Sequence, residues 1–248
     1  MFALQSFPPY PASTTRISTI PLPSNLPDPV SRFFTKVFGD RIPVIDSAIV
    51  SGKGTVRFKG VTFQARWRFV YSAGQAYRHY IEATVLGHPL LKVNEYYIDQ
   101  HSRLELPFGI VENQPRVDLA ANLGLWGESI WFPSIFLTDP RIRWEAIDDM
   151  TARLIVPFGE STDNFTVTFD PQTELLQRLD AFRYRDASDT QKLGWRNQVL
   201  GWEPFSGMLL PKRASVRWLD QSTPWFVLCV EEVIYNVDVK QYIHAKGI

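Results

Sequence analysis

Between Thr62 and Ser72 the chain reads TFQARWRFVYS, with Phe63, Ala65, Trp67, Phe69 and Tyr71 on every second residue and Gln64, Arg66 and Arg68 between them. A period of two puts alternate side chains on opposite faces of a strand, so this stretch predicts a strand with one buried face. Similar runs occupy 54–59, 76–86, 90–98, 101–108, 141–147, 151–157, 164–169, 175–184, 213–219 and 225–239. Turn residues join them, among them Ser72-Ala73-Gly74, Gly87-His88-Pro89, Asp170-Pro171 and Gln221-Ser222. Links this short demand an antiparallel meander, because parallel neighbours need a crossover connection. A sheet of about ten or more strands does not stay flat. The predicted fold is therefore mainly β: a long curved antiparallel sheet, a half-barrel or incompletely closed barrel, with two helices packed on its concave side.

The first helix is expected at 28–38. Asp28 caps it, Pro29 takes the first helical position, and Val30, Phe33, Phe34, Val37 and Phe38 form one apolar stripe before Gly39. The second is expected over 118–131, capped by Asp118, with Leu119, Leu123, Trp126 and Ile130 at helical spacing and Pro133 beyond its end. Six of the 18 prolines fall in residues 1–27, which predicts an extended arm, either a strap or a disordered tail, that contributes little to the core. Residues 28–248 contain no repeat and no linker, so they are expected to form a single domain, large enough to bury a sizeable core.

Lysine plus arginine and aspartate plus glutamate balance at 26 each, which disfavours nucleic acid as a partner. The one cysteine, Cys229, sits in the apolar run WFVLCVEEVIYNV, where a buried structural thiol is expected and no intrachain disulfide is possible. No run of 18 apolar residues is present, and the N-terminus lacks a basic segment followed by an unbroken apolar one; a soluble, cytoplasmic protein is the expectation. His79, His88, His101 and His244 have no metal-ligand spacing, so neither metal nor cofactor is expected. Ser51-Gly52-Lys53-Gly54 lacks the spacing of a phosphate loop, and no Gly-x-Ser-x-Gly elbow occurs. Aromatics make up 14% of the chain, with eight tryptophans, a composition suited both to sheet packing and to a lined cavity.

Two groups of residues are candidates for chemistry. Residues 127–149, GESIWFPSIFLTDPRIRWEAIDD, form either an aromatic corner with solvated carboxylates or the wall of a site. Glu128 falls opposite the apolar stripe of its helix, Trp131 follows the last turn, and Trp144 points to the apolar side of a strand. The second group consists of polar intruders on apolar rows: His79 with Tyr77, Ile81, Ala83 and Val85; Glu95 with Leu91, Val93 and Tyr97; and Glu231 with Trp225, Val227, Cys229, Val233 and Tyr235. A carboxylate on such a row must be hydrogen-bonded, shifted in pKa or turned to water. Glu128, His79, Glu95 and Glu231 are thus the candidate acid–base or anchoring residues, and Trp67, Tyr97, Trp126, Trp131, Phe132 and Trp144 the candidate ligand-binding aromatics.

Glu128 through Pro133, Arg143-Trp144-Glu145-Ala146-Ile147-Asp148-Asp149 and Ala152-Arg153 resemble the signature of the bacterial family of unknown function DUF6544 (also DUF6920). Leu26-Pro27 with Pro29-Val30 and Arg32 is similar to that family's opening motif, and Phe169-Asp170, Arg183-Tyr184, Pro211 and Val216-Arg217-Trp218 resemble its later landmarks. The chain departs from the pattern at Gly127, where the family carries alanine, and near Tyr97–His101, where it carries a glycine-rich turn. The resemblance implies an architecture similar to the half-barrel of the lipoprotein carrier LolA, and no particular reaction. The function expected is binding of a hydrophobic or lipid-like small molecule in an aromatic-lined cavity. The alternative is an enzyme of cyclase, isomerase or hydrolase type acting on a hydrophobic substrate there.

Overall fold

A computed structural model describes residues 4–10, 16–205 and 207–245. The chain begins with β1 (Thr19–Pro21), α1 (Asp28–Phe38) and β2 (Arg41–Pro43); β1 and β2 pair as a small separate ribbon. A first meander follows: β3 (Ser47–Phe58), β4 (Val61–Ser72), β5 (Ala76–Val85), β6 (His88–Ile98), β7 (His101–Leu106) and β8 (Gly109–Glu112). Helix α2 (Pro115–Glu128), a 3-10 turn at Ser129–Trp131 and the short α3 (Ile135–Thr138) then cross to a second meander. That meander comprises β9 (Arg143–Asp148), β10 (Thr151–Phe158), β11 (Ser161–Phe169), β12 (Leu176–Arg183), β13 (Leu193–Phe205), β14 (Met208–Trp218) and β15 (Phe226–Tyr235), and α4 (Lys240–His244) follows it. All 13 long-meander strands form one antiparallel sheet, in which β15 pairs with β3 and fuses the two halves. The sheet is not closed into a barrel: β8 and β9 remain as its edges, and α2 is the segment that links them.

The fusion explains a motif that resembles a phosphate loop only superficially. A Cβ added at Gly52 or Gly54 would lie 2.0 Å from the carbonyl oxygen of Cys229 or 1.8 Å from that of Val227. The β3–β15 seam therefore needs glycine at both positions for the backbones to approach.

The inward rows, such as Ala48 and Val50, Trp67, Phe69 and Tyr71, and Phe165, Val167 and Phe169, merge into one core with the buried residues of α1 and α2. Helix α1 contributes large side chains: Phe33 meets Phe169 and Trp202 at ring distances of 5.5 and 5.8 Å. On the outer face, residues 4–10 lie across β4 and β5. Phe7 is buried there 5.9 Å from the Tyr80 ring, Arg66 stacks on Phe7 at 4.3 Å, and Arg68 donates to the Pro8 carbonyl. A second, smaller core of Ile49, Val70, Ala76, Val237, Val239 and Ile243 sits beside it.

The structure departs from the sequence expectations in four places. Helix α2 starts at Pro115, whose missing N–H is harmless in a first turn, and Asp118 accepts from the backbone and hydroxyl of Ser102 instead of capping the helix. Helix α1 includes Asp28, with Pro27 just outside it. Strands β8 and β13 lie in segments where no strand was expected. The inward row of β13, Trp195, Asn197 and Val199, has a polar residue at its centre, and Gly194, Gly201 and Pro204 blur its period. Finally, β15 carries a bulge: Val230 pairs with Gly52 and Glu232 with Ser51, which leaves Glu231 as an extra residue. Strict alternation fails there, so the expected row from Trp225 to Tyr235 is not one face. Val227, Cys229 and Glu231 belong to the outer side, where Cys229 is only half-buried, whereas Val233 and Tyr235 turn inward.

Candidate functional site

The floor of the trough is set by strand register. Tyr71, Tyr77 and Tyr97 lie side by side across β4, β5 and β6; Phe69, His79 and Glu95 form the next row, and Trp67, Ile81 and Val93 the one after. The His79 ring is held between the rings of Phe69 and Tyr77, each 3.9 Å away and nearly parallel. Helix α2 forms the roof. Its Glu128 places Oε2 2.9 Å from the Tyr71 hydroxyl, which donates to it, and 2.9 Å from His79 Nε2. No hydrogen bond is aligned on that nitrogen, so His79 and Glu128 meet by proximity alone. Beside them, Tyr77 donates a short hydrogen bond to Glu95.

From the opposite meander, Arg183 of β12 reaches the same space. Its guanidinium carbon stands 4.6 Å from the Trp195 ring centre, and its Nε is buried without a hydrogen-bond partner. Burial pulls the Arg183 pKa down from its ordinary value, while the negative charge of Glu95 and Glu128 opposes that shift. Burial likewise pushes the Tyr71 and Tyr77 phenols well above theirs, reinforced by the charge of Glu128 for Tyr71 and of Glu95 for Tyr77. The interior therefore holds an imidazole, a guanidinium, two carboxyl groups and two neutral phenols under a helix. Asn197 of β13 adds a primary amide whose nitrogen and oxygen are both buried and unpartnered. It faces a small cavity of about 10 Å³, also lined by Phe69, Glu128, Trp131 and Phe226, a space the size of one water molecule. Gly127 is explained by the same neighbours: a Cβ there would come within 2.7 Å of Asn197 Nδ2 and 2.9 Å of the Trp195 ring.

The expectation that Glu128 faces solvent is corrected here. On a lone helix it would, but α2 lies within the trough, with nine residues buried around its circumference, and Glu128 is turned against β4 and β5. His79 and Glu95 lie on the concave side with it. Glu231 does not: it is on the outer face, 3.0 Å from Lys53 Nζ and bonded to the Ser6 hydroxyl. Of the aromatic candidates, Trp67 and Trp131 stack at 5.7 Å, Phe132 lies 5.0 Å from Tyr71, and Tyr97 donates to Asn122; all four are buried under or beside α2, and Trp126 is buried on α2 itself. Trp144 sits at the edge strand β9, half-buried, with Nε1 donating to the Phe136 carbonyl. A rim cavity of about 260 Å³ opens beside Tyr97, Asn122, Trp126 and Arg141.

Sequence reasoning missed Tyr71 and Tyr77 as polar groups and Asn197 altogether, and it met Arg183 only as a landmark of the family resemblance, not as a site residue. The tyrosines counted there as apolar members of their rows. Arg183 continues the inward row of Leu179 and Ala181, which was the available signal. Among the described residues, no group of three or more His, Cys, Asp or Glu side chains is placed to hold a metal ion, and no helix is long and apolar enough to cross a membrane.

The fold is similar to that of a LolA superfamily protein from Nitrosomonas europaea, with a TM-score of 0.52 and 10% identity over 88% of this chain and 96% of that one. A DUF1329 family protein from Desulfovibrio piger aligns with a TM-score of 0.46 and 11% identity over 81% and 91% of the two chains. At 10% identity the likeness to the Nitrosomonas europaea protein is one of fold, and it is the LolA-like half-barrel that the sequence resemblance implied. No curated protein sequence matches significantly. With the Glu128–Pro133 and Arg143–Asp149 motifs now located at the roof of the trough and the sheet edge beside it, and with a family model matching residues 16–228, the chain belongs to DUF6544, a family of unknown function.

Proposed function

We propose that the protein binds a hydrophobic, lipid-like small molecule on the concave face of its sheet, and that α2 is the segment that yields to admit it. The observation that carries this reading is how α2 is held. It is buried on all sides, and next to the core residues Leu123, Leu125 and Trp126 it presents the small Ala120, Ala121, Gly124 and Gly127, where α1 presents only large side chains in Val30, Phe33, Phe34 and Val37. Polar contacts hold it as well: Asp118 to Ser102, Asn122 to Tyr97 and the Pro157 carbonyl, and Glu128 to Tyr71. Such bonds contribute about 0.5–3 kcal/mol each. An acyl chain gains about 0.8 kcal/mol per buried CH₂, so a dozen methylenes offset several of them. Under α2 the ligand would meet Trp67, Tyr97, Trp126, Trp131 and Phe132, and its polar end would meet His79, Arg183 and Glu128. Because α2 joins the two sheet edges and belongs to no ladder, moving it breaks no strand pairing.

The test is to add a long-chain fluorescent fatty acid and follow amide exchange. Binding should quench the buried tryptophans and speed or slow exchange in α2 while α1 and the β3–β15 seam stay unchanged. Failure to bind, or an α2 as unresponsive as α1, overturns the reading. The contact of Tyr71, Glu128 and His79 favours a second reading, acid–base catalysis on the bound molecule. Glu128→Gln separates the two, since a carrier retains its cargo whereas an enzyme accumulates unreacted substrate.

A further inference from the structure

Eleven large apolar side chains are exposed among the described residues, and seven of them fall on three hairpin ends. They are Val61 at the β3–β4 turn, Val85, Leu86 and Leu90 at the β5–β6 turn, and Leu106, Phe108 and Ile110 at the β7–β8 turn. In an antiparallel meander alternate turns lie at the same end of the sheet, so the three hairpins share one end. Two of them touch: the Phe58 and Phe108 rings stack at 5.8 Å, with Lys59 Nζ 5.2 Å from the Phe108 centre. Phe108 is 72% and Leu86 70% exposed, far from the isolated, half-covered leucine that is ordinary on a surface.

The charge on these ends has one sign. The segments RFKGV (57–61), VLGHPL (85–90) and LPFGI (106–110) contain the cations Arg57 and Lys59 and no acidic residue. Neighbouring carboxylates are paired with arginines: Glu112 with Arg103, Glu82 with Arg66, and Asp220, which itself lines the groove beside the first hairpin, with Arg185. Next to the first hairpin a groove of about 750 Å³ opens, lined in part by Arg57, Lys59, Trp218 and Trp225. Apolar tips flanked by cations, with tryptophans set behind them, complement an anionic bilayer, whose headgroups attract the cations and whose acyl boundary accepts the side chains.

We infer that this end of the sheet docks on the surface of an anionic phospholipid membrane. The docking stands apart from the reading of α2: it requires no occupant of the trough. The experiment is co-sedimentation of the full chain with vesicles of phosphatidylglycerol and phosphatidylcholine, compared with phosphatidylcholine alone. Binding to the anionic vesicles is expected, weakened several-fold by added salt. The double variant Leu86→Ser, Phe108→Ser should lower partitioning at least tenfold and Lys59→Glu several-fold. Ile147→Ser, which removes an exposed side chain beside the β9–β10 turn at the opposite end of the sheet, should leave it unchanged. All four positions are exposed, so the thermal midpoints should stay together, and circular dichroism checks this. Absence of vesicle binding by the wild type, equal binding by the double variant, or loss of self-association in light scattering as that variant's only effect overturns the inference.

Discussion

At the scale of single residues, Glu128 separates what a side chain does as a hydrogen-bond acceptor from what it does as a charge. Glu128→Gln keeps an acceptor for the Tyr71 hydroxyl, and chemical denaturation should find its stability within about 1 kcal/mol of the parent. Glu128→Ala leaves both Tyr71 and His79 facing a void, and a loss of about 2–4 kcal/mol is expected. Gly127→Ala sets two effects against each other. Helix propensity favours alanine by about 1 kcal/mol, but the new methyl meets Asn197 and Trp195 inside 3 Å, and overpacking of that kind costs about 1–3 kcal/mol. Net destabilisation should appear as a lower urea midpoint, and Asn197→Ala in the same chain should relieve part of it. The sequence showed which rows are inward wherever the period held, as for Trp67, Phe69 and Tyr71. It could not show the facing of Glu128, because a helix covered on every side has no solvent face for its periodicity to reveal. Nor could it show that of Glu231, because one inserted residue reverses the phase of a strand.

At the scale of elements, the long strands and the first helix were legible because each carries its own apolar period. Strand β13 was not, since its central inward residue is Asn197, which reads as polar in sequence although it lines the small interior cavity beside Glu128. The N-terminal segment was also underread. Proline content correctly argues against regular structure, yet says nothing of whether an extended chain finds a surface to lie on. Phe7, Pro8 and Tyr10 find one, over Arg66, Arg68, Tyr80 and Tyr242. Deleting residues 1–10 should therefore remove about 2 kcal/mol, mostly the burial of Phe7. Calorimetry should show this as a fall of roughly 4–8 °C in the melting temperature. The deletion variant should still unfold cooperatively, because the sheet and trough do not include the strap.

The molecule as a whole carries an alkaline liability. The Tyr71, Tyr77 and Tyr235 phenols are all raised above their ordinary value near 10, by burial before anything else. Burial favours the neutral phenol, so above pH 10 the unfolded chain releases protons that the folded chain retains. Their contribution is fully present below that pH and is lost as pH rises from 10 toward the raised folded values, at up to about 1.4 kcal/mol per pH unit for each tyrosine. Urea midpoints across pH 8 to 11.5 should accordingly fall steeply above 10, and less steeply for Tyr77→Phe. The β3–β15 seam has a consequence of another kind, in time. Ile49 and Ile234 are ladder partners, and the ribosome makes one long before the other. While synthesis proceeds, the first meander exists with β3 as an open edge, its glycine-lined backbone groups unpaired, and only the last strand can cover it. Completion of the sheet thus waits on a pairing between strands made early and late in synthesis, and any chaperone that holds the nascent chain has that bare edge to hold.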